Sequence, residues 1–161
     1  MVILNVIFRW VILGSFLFPG ICFSQLKSFS FEEIENLQKS EKRNIVIFIH
    51  TDWCNYCKAM ENTTFKNKNV IEKLNQNFYF VKLNAEEKRN ITFAGKDFHF
   101  KPTGRNIGIH ELAEQLGKIN GEISYPALVI LNHDNEIIFQ YNEYVSGDNM
   151  GRILSELNEN K

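Results

Sequence analysis

Residues 45–49 read Ile-Val-Ile-Phe-Ile, and Cys54-Asn55-Tyr56-Cys57 follows five residues later. A continuous β-branched and aromatic run fits a strand buried on both faces, as in the middle of a sheet covered by helices. Two cysteines with two residues between them, placed where a helix starts, can open and close a disulfide. A central strand running straight into a reactive pair leaves few layouts open, so the remainder of the chain is read as a scaffold for residues 51–58.

The chain holds 161 residues and three cysteines. Residues 1–24 have the pattern of a cleaved secretory signal: one charge, Arg9, an apolar run from Trp10 to Phe18, a break at Pro19-Gly20, and Cys22 and Ser24 at the small-residue positions. A retained membrane anchor and a lipid-modified Cys22 are the alternatives. Cleavage leaves residues 25–161 as a single domain whose only thiols are Cys54 and Cys57. A domain of that size with one closely spaced pair is not a disulfide-stapled miniprotein, so the pair is expected to be chemical rather than structural. The formal net charge of −1 brings no basic excess to suit nucleic acid or an anionic membrane surface.

In chain order, Ser30 and Glu33 form a capping box with a Phe29–Ile34 staple, predicting a helix over 28–40. After the 45–49 strand, a helix is expected over 57–62, bent at Thr63-Thr64-Phe65. A second is expected with Asn69 and Glu72 as its cap pair and Val70, Ile71 and Leu74 on one face. Residues 78–83 are the next strand. Strand, helix, strand predicts parallel pairing through a right-handed crossover. Residues 86–121 form an insert. Within it, 91–93 and 98–100 suggest a small hairpin with a turn at Pro102 and Gly104, and Ile109, Leu112, Ala113 and Leu116 predict a helix over 108–117. A strand over 127–131, a turn at 132–135, an antiparallel strand over 136–141 and a helix opened by Ser146-Gly147-Asp148 complete the chain.

The helix start favours the thiolate of Cys54, because unpaired backbone N–H groups and the positive end of the helix dipole face it. Cys57, one turn deeper, can resolve a mixed disulfide formed on Cys54. Trp53 offers a flat apolar surface to a peptide or else packs at the rim. His50, Asp52 and Lys58 are candidates for proton transfer or for tuning the thiol, and Asp52 alternatively caps the helix. A zinc site would need two further ligands, yet His50, His99, His110 and His133 are scattered. Haem attachment would need histidine where Lys58 stands. No metal or cofactor is expected.

These residues resemble the thioredoxin superfamily. The likeness spans about residues 28–158 and rests on the 45–49 strand, Trp53-Cys54-Asn55-Tyr56-Cys57-Lys58, Val81-Lys82-Leu83-Asn84 and Tyr125-Pro126. It is closer to exported thioredoxin-like proteins and to the C-terminal domain of the membrane thiol:disulfide interchange reductase, which share Asp52 to Lys58, Thr64-Phe65 and Asn69-Val70. The resemblance implies an α/β thioredoxin fold: a central mixed sheet of four to five strands flanked by helices, with the insert before the cis-proline strand. It also implies that Pro126 is that cis-proline, and that Tyr125 offers main-chain hydrogen bonds to an extended substrate.

The chain departs from thioredoxin at three places. Asn55-Tyr56 replaces Gly-Pro, which leaves the redox direction open. Phe48 stands where thioredoxin carries a buried aspartate, while Lys82 matches the lysine beside it; His50, Asp52 or Glu61 are candidates to substitute. The stretch between Asn84 and Pro126 is longer than in thioredoxin. The expected activity is an exported, periplasmic or secreted, protein-disulfide reductase supplied by a membrane electron donor. Oxidase or isomerase action on protein disulfides, and a non-catalytic binding module with a stapled pair, are the rivals.

Overall fold

The computed structural model describes residues 25–105 and 107–159, so the proposed signal lies outside the described residues. Helix α1 (Phe31–Ser40) is closed by the expected capping box: Ser30 Oγ accepts from the Glu33 amide at 3.1 Å, and Glu33 Oε2 accepts from the Ser30 amide at 2.7 Å. Strand β1 (Asn44–His50) is buried from Asn44 through Ile49, as its unbroken apolar run requires. Helix α2 (Asn55–Asn62) starts two residues earlier than expected, with Cys54 directly before it and Cys57 in its first turn, and the expected bend is a 3-10 turn over Thr64–Lys66.

Helix α3 (Lys68–Asn77) starts earlier than expected. Its cap is Asn67, whose Oδ1 accepts from the Asn69 and Val70 amides, which corrects the assignment of the cap to Asn69. Strand β2 (Phe78–Asn84) then pairs parallel with β1, as the strand–helix–strand order predicts.

The insert departs most from expectation. Two hairpins stand where one was predicted: β3 (Ile91–Phe93) with β4 (Lys96–Phe98), and β5 (Phe100–Gly104) with β6 (Ile107–His110). Ala94 and Gly95 both take positive φ to make the tight turn of the first hairpin. Pro102 lies in strand β5 rather than in a turn. Among the described residues β5 pairs only with β6, and an edge position tolerates a residue without an N–H.

Helix α4 (Glu111–Gly117) is shorter than the periodicity suggested, because Gly108 and Ile109 belong to β6 and His110 is the cap. A small ribbon, β7 (Lys118–Ile119) with β8 (Glu122–Ile123), leads to β9 (Ala127–Leu131) and β10 (Ile137–Tyr141). The chain ends in helix α5 (Gly147–Glu159), with the Ser146 hydroxyl accepting from the Asn149 amide.

The central sheet is mixed and four-stranded, in the order β10-β9-β1-β2, with β9 antiparallel to both β1 and β10. Strand alternation sends Ile45, Ile47 and Ile49 into a core shared with α1, the β3–β4 hairpin and α4. Val46 and Phe48 face the other way, into a core shared with α2, α3 and α5 that contains both cysteines. The two cysteines therefore sit beyond the end of the central strand, above a packed face.

Candidate active site

The pair is built by the end of β1. After His50 the chain turns through Thr51, whose carbonyl accepts from the Cys54 amide at 3.3 Å. Cys54 is itself the N-cap of α2: its Sγ accepts from the Cys57 amide at 3.0 Å. Asp52 is therefore not the cap. Cys54 and Cys57 are joined as a disulfide. They are recessed, at 5% and 2% exposure, between Trp53 at 63% and Tyr56 at 67%. A sulfur that accepts an orphan helix amide is placed where a thiolate is stabilised by hydrogen bonding and by the helix dipole.

Trp53 does more than line the rim. Its indole Nε1 donates to Glu86 Oε1 at 3.1 Å, and its ring meets Tyr125 edge-to-face at 6.0 Å. Glu86 is placed in turn by Asn84, whose Oδ1 accepts from the Glu86 amide and whose Nδ2 donates to Asp52. Tyr125 is half-buried and packs against both cores, and the Tyr125–Pro126 bond is cis. Burial, with the Glu86 and Glu114 carboxylates adding to it, pushes the Tyr125 phenol up to about 12, so it is a neutral donor at ordinary pH. Pro126 is buried at the entry to β9.

On the face beneath α2, Phe48 packs against Phe65 at 4.8 Å, and Phe65 against Phe80 at 4.9 Å. An aromatic cluster thus fills the place at which the resemblance puts a buried acid. His50, two residues on along β1, stacks on Phe48 with ring centroids 5.6 Å apart. Burial holds its pKa below the ordinary histidine value and Lys82 adds to that, while Glu61, Asp52 and a hydrogen bond with the Thr51 main chain act in the opposite sense. Lys82 lies beside Phe48 in the parallel pairing and forms an ion pair with Glu61 of α2. Lys58 is exposed on α2.

Apart from the two cysteines, Pro126 and the exposed Lys58, the sequence-predicted residues fall into two groups. Trp53, Asp52 and Tyr125 are linked on the rim through Asn84 and Glu86. His50 and Lys82 share the underside with Glu61. Sequence reasoning missed Glu86, for which no local pattern exists, and the exposed Tyr56, for which the signal was an aromatic residue between the two cysteines. Among the described residues no cluster of three or more His, Cys, Asp or Glu is arranged to hold a metal ion, and no helix is long and apolar enough to cross a membrane.

Residues 31–158 match the family model of a thioredoxin-like domain. Among solved structures, the DsbH oxidoreductase superposes with a TM-score of 0.58 at 16% identity, over 91% of each chain. A thioredoxin from Thermus thermophilus gives 0.58 at 17% identity, covering 83% of this chain and 87% of its own. The disulphide isomerase of Xylella fastidiosa gives 0.51 at 13% identity, covering 89% and 98%. At these identities the likeness is one of fold.

Proposed function

The chain belongs to the thioredoxin-like domain family, and from that premise we propose that it is an exported thiol-disulfide oxidoreductase acting on protein disulfides in the reducing direction. The observation that carries this reading is the position of Cys54, at once N-cap of α2, acceptor of the Cys57 amide and partner of Cys57 in a disulfide. In the dithiol form the Cys54 thiolate attacks one sulfur of a substrate disulfide and expels the other as a thiolate, which takes up a proton. The mixed disulfide keeps both electrons' worth of oxidation on the Cys54–substrate bond. Cys57 then loses its proton and attacks Cys54 Sγ, releasing the second substrate thiol. Two electrons and two protons have passed to the substrate, and the Cys54–Cys57 disulfide remains.

Each other group has a role in this scheme. Trp53 and Tyr125 form an aromatic rim for the chain flanking the substrate cysteine, and the cis Tyr125–Pro126 main chain offers it hydrogen bonds. With Phe48 in place of an acid, the proton of the recessed Cys57 is handled by His50, whose lowered proton affinity keeps it neutral and able to accept. The Lys82–Glu61 pair and Asp52 set the local field, and Lys58 adds a positive charge on the same helix. Residues 1–24 direct export, and a membrane electron donor restores the dithiol in an oxidising compartment. No cofactor enters the scheme.

The test is a Cys57→Ser chain exposed to extracts of the native compartment under oxidising conditions. Disulfide-linked adducts through Cys54 are expected, absent in a Cys54→Ser control. No adducts, together with a pair potential below about −300 mV, where structural disulfides lie, would reject catalysis.

A further inference from the structure

The insert leaves the end of β2, packs against the core beside it, and meets the turn after β2 again at His110. This side chain is fully buried. Its amide donates to the Ala85 carbonyl at 2.7 Å, and the Ala85 amide donates to the His50 carbonyl at 2.8 Å. Both ring nitrogens are committed as well. Nδ1 accepts from the Leu112 amide at 3.3 Å and so caps α4. That fixes the ring proton on Nε2, which lies 3.2 Å from the Arg89 carbonyl and donates to it. The turn so held, residues 85–89, is the one that carries Glu86, the hydrogen-bond partner of the Trp53 indole.

We propose that neutral His110 is a positioning residue for the redox site: together with the Asn84 bond to the Glu86 amide, its hold on the Arg89 carbonyl and the start of α4 keeps Glu86 where its carboxylate orients Trp53, and proton uptake by His110 releases its share of that hold. An imidazolium carries an N–H on both nitrogens, so Nδ1–H would confront the Leu112 N–H, donor against donor, inside the core. The charged groups facing the ring come from every element around it. Glu87 on the 85–89 turn and Glu111 on α4 favour the proton, while His99, between β4 and β5, opposes it. Lys101 draws on Glu111 and Glu114, and the Arg89 side chain is exposed. Burial is the largest influence and leaves the ring with a lower proton affinity than a free histidine.

An undocked insert therefore binds the proton more tightly than the docked one. Docking is at full strength above the free histidine value of about 6.5 and weakens as pH falls below it, by at most about tenfold per pH unit, until the docked ring itself takes up the proton. The consequence for turnover rests on the redox reading above; the positioning itself does not.

The experiment follows the Trp53 indole N–H resonance of the full chain, assigned with Trp53→Phe, from pH 7.5 to 5.0. The comparison is with His110→Asn, whose Oδ1 can cap α4 but cannot titrate. The expected result is an indole shift with a midpoint below about 6.5 in the unmodified chain and its loss in the variant. An indole that follows the same curve in both, or stays still while His110 titrates, overturns the inference. If the variant does not fold, amide exchange in the unmodified chain decides. Protection over 107–117 must fall more than intrinsic rates explain as pH drops from 7.5 to 5.5; constant protection overturns the proposal. A responsive indole without thiol-disulfide turnover would sink the redox reading alone. Normal turnover with an unresponsive indole would sink this one alone.

Discussion

Phe48 is the residue by which this chain departs most sharply from the thioredoxin pattern, and its structural weight can be predicted. The ring is fully buried, packs on Phe65 at 4.8 Å and supports the stacked His50 ring. A buried aromatic side chain hides on the order of 150 Å². Truncation to alanine gives up about two thirds of that, worth about 2.5 kcal/mol at ~25 cal/mol per Å². A residual void of about 60 Å³ after partial collapse adds ~1.5 kcal/mol at ~24 cal/mol per Å³. The sum, about 4 kcal/mol, lies within the range of about 3–5 kcal/mol for Phe→Ala in cores and is a large share of a typical stability of about 5–15 kcal/mol. With a urea slope near ~2 kcal/mol/M, the midpoint of Phe48→Ala should fall by about 2 M. Phe139→Ala, half-buried on edge strand β10, is the matched control and should cost less than about half as much, since its ring is already partly wet. Urea denaturation of both variants in the oxidised state checks the pair. A Phe48→Ala loss under about 2 kcal/mol, or equal losses at the two sites, would refute the claim that this cluster is the packed floor of the site.

Three further outcomes follow from single contacts. Thr51→Val should leave stability unchanged or raise it by about 1 kcal/mol in thermal or urea unfolding, because the buried Thr51 hydroxyl has no hydrogen-bond partner among the described residues; a loss above about 1 kcal/mol would mean that the hydroxyl is bonded after all. Gly108→Ala should cost roughly 1–3 kcal/mol and loosen the second hairpin by hydrogen exchange, since an added Cβ collides with the Lys101 carbonyl and the Phe100 ring. His50 and His110 both sit below the ordinary histidine value, mainly through burial, so their contribution to stability is complete above about pH 6.5 and is lost as pH falls from there through their folded values. The urea midpoint at pH 5.5 should accordingly lie below that at pH 7.5, and a midpoint that rises toward acid would contradict the assignment.

Features encoded within a few residues of one another are legible in the sequence alone. The Ser30–Glu33 box, the uninterrupted apolar run that became β1, and the bend at Thr64 and Phe65 are such cases. Each is set by bonds or burial demands that reach at most one helical turn, or by a strand that must be dry on both faces. Misreadings arose where two local signals competed. Ile109, Leu112, Ala113 and Leu116 have helical spacing, yet Ile109 pairs with Lys101 in a hairpin and the helix begins only after His110. Asn69 looks like a cap, but Asn67 stands at the non-helical position from which a side chain can reach the free amides.

The sequence alone therefore determined the chemistry: two thiols one helical turn apart, at the exit of a buried strand, in a chain with no other cysteine after the proposed signal. Only the tertiary structure decided the surroundings of those thiols. Glu86 reaches the Trp53 indole, Glu61 reaches Lys82, and His110 holds the 85–89 turn because strand pairing and the folded insert bring together residues that no periodicity relates. A side chain's reach is a few ångströms in space, whereas a sequence pattern reports only neighbours along the chain. Contacts made across 20 or more residues, such as that between Trp53 and Glu86, come into being only when the sheet closes.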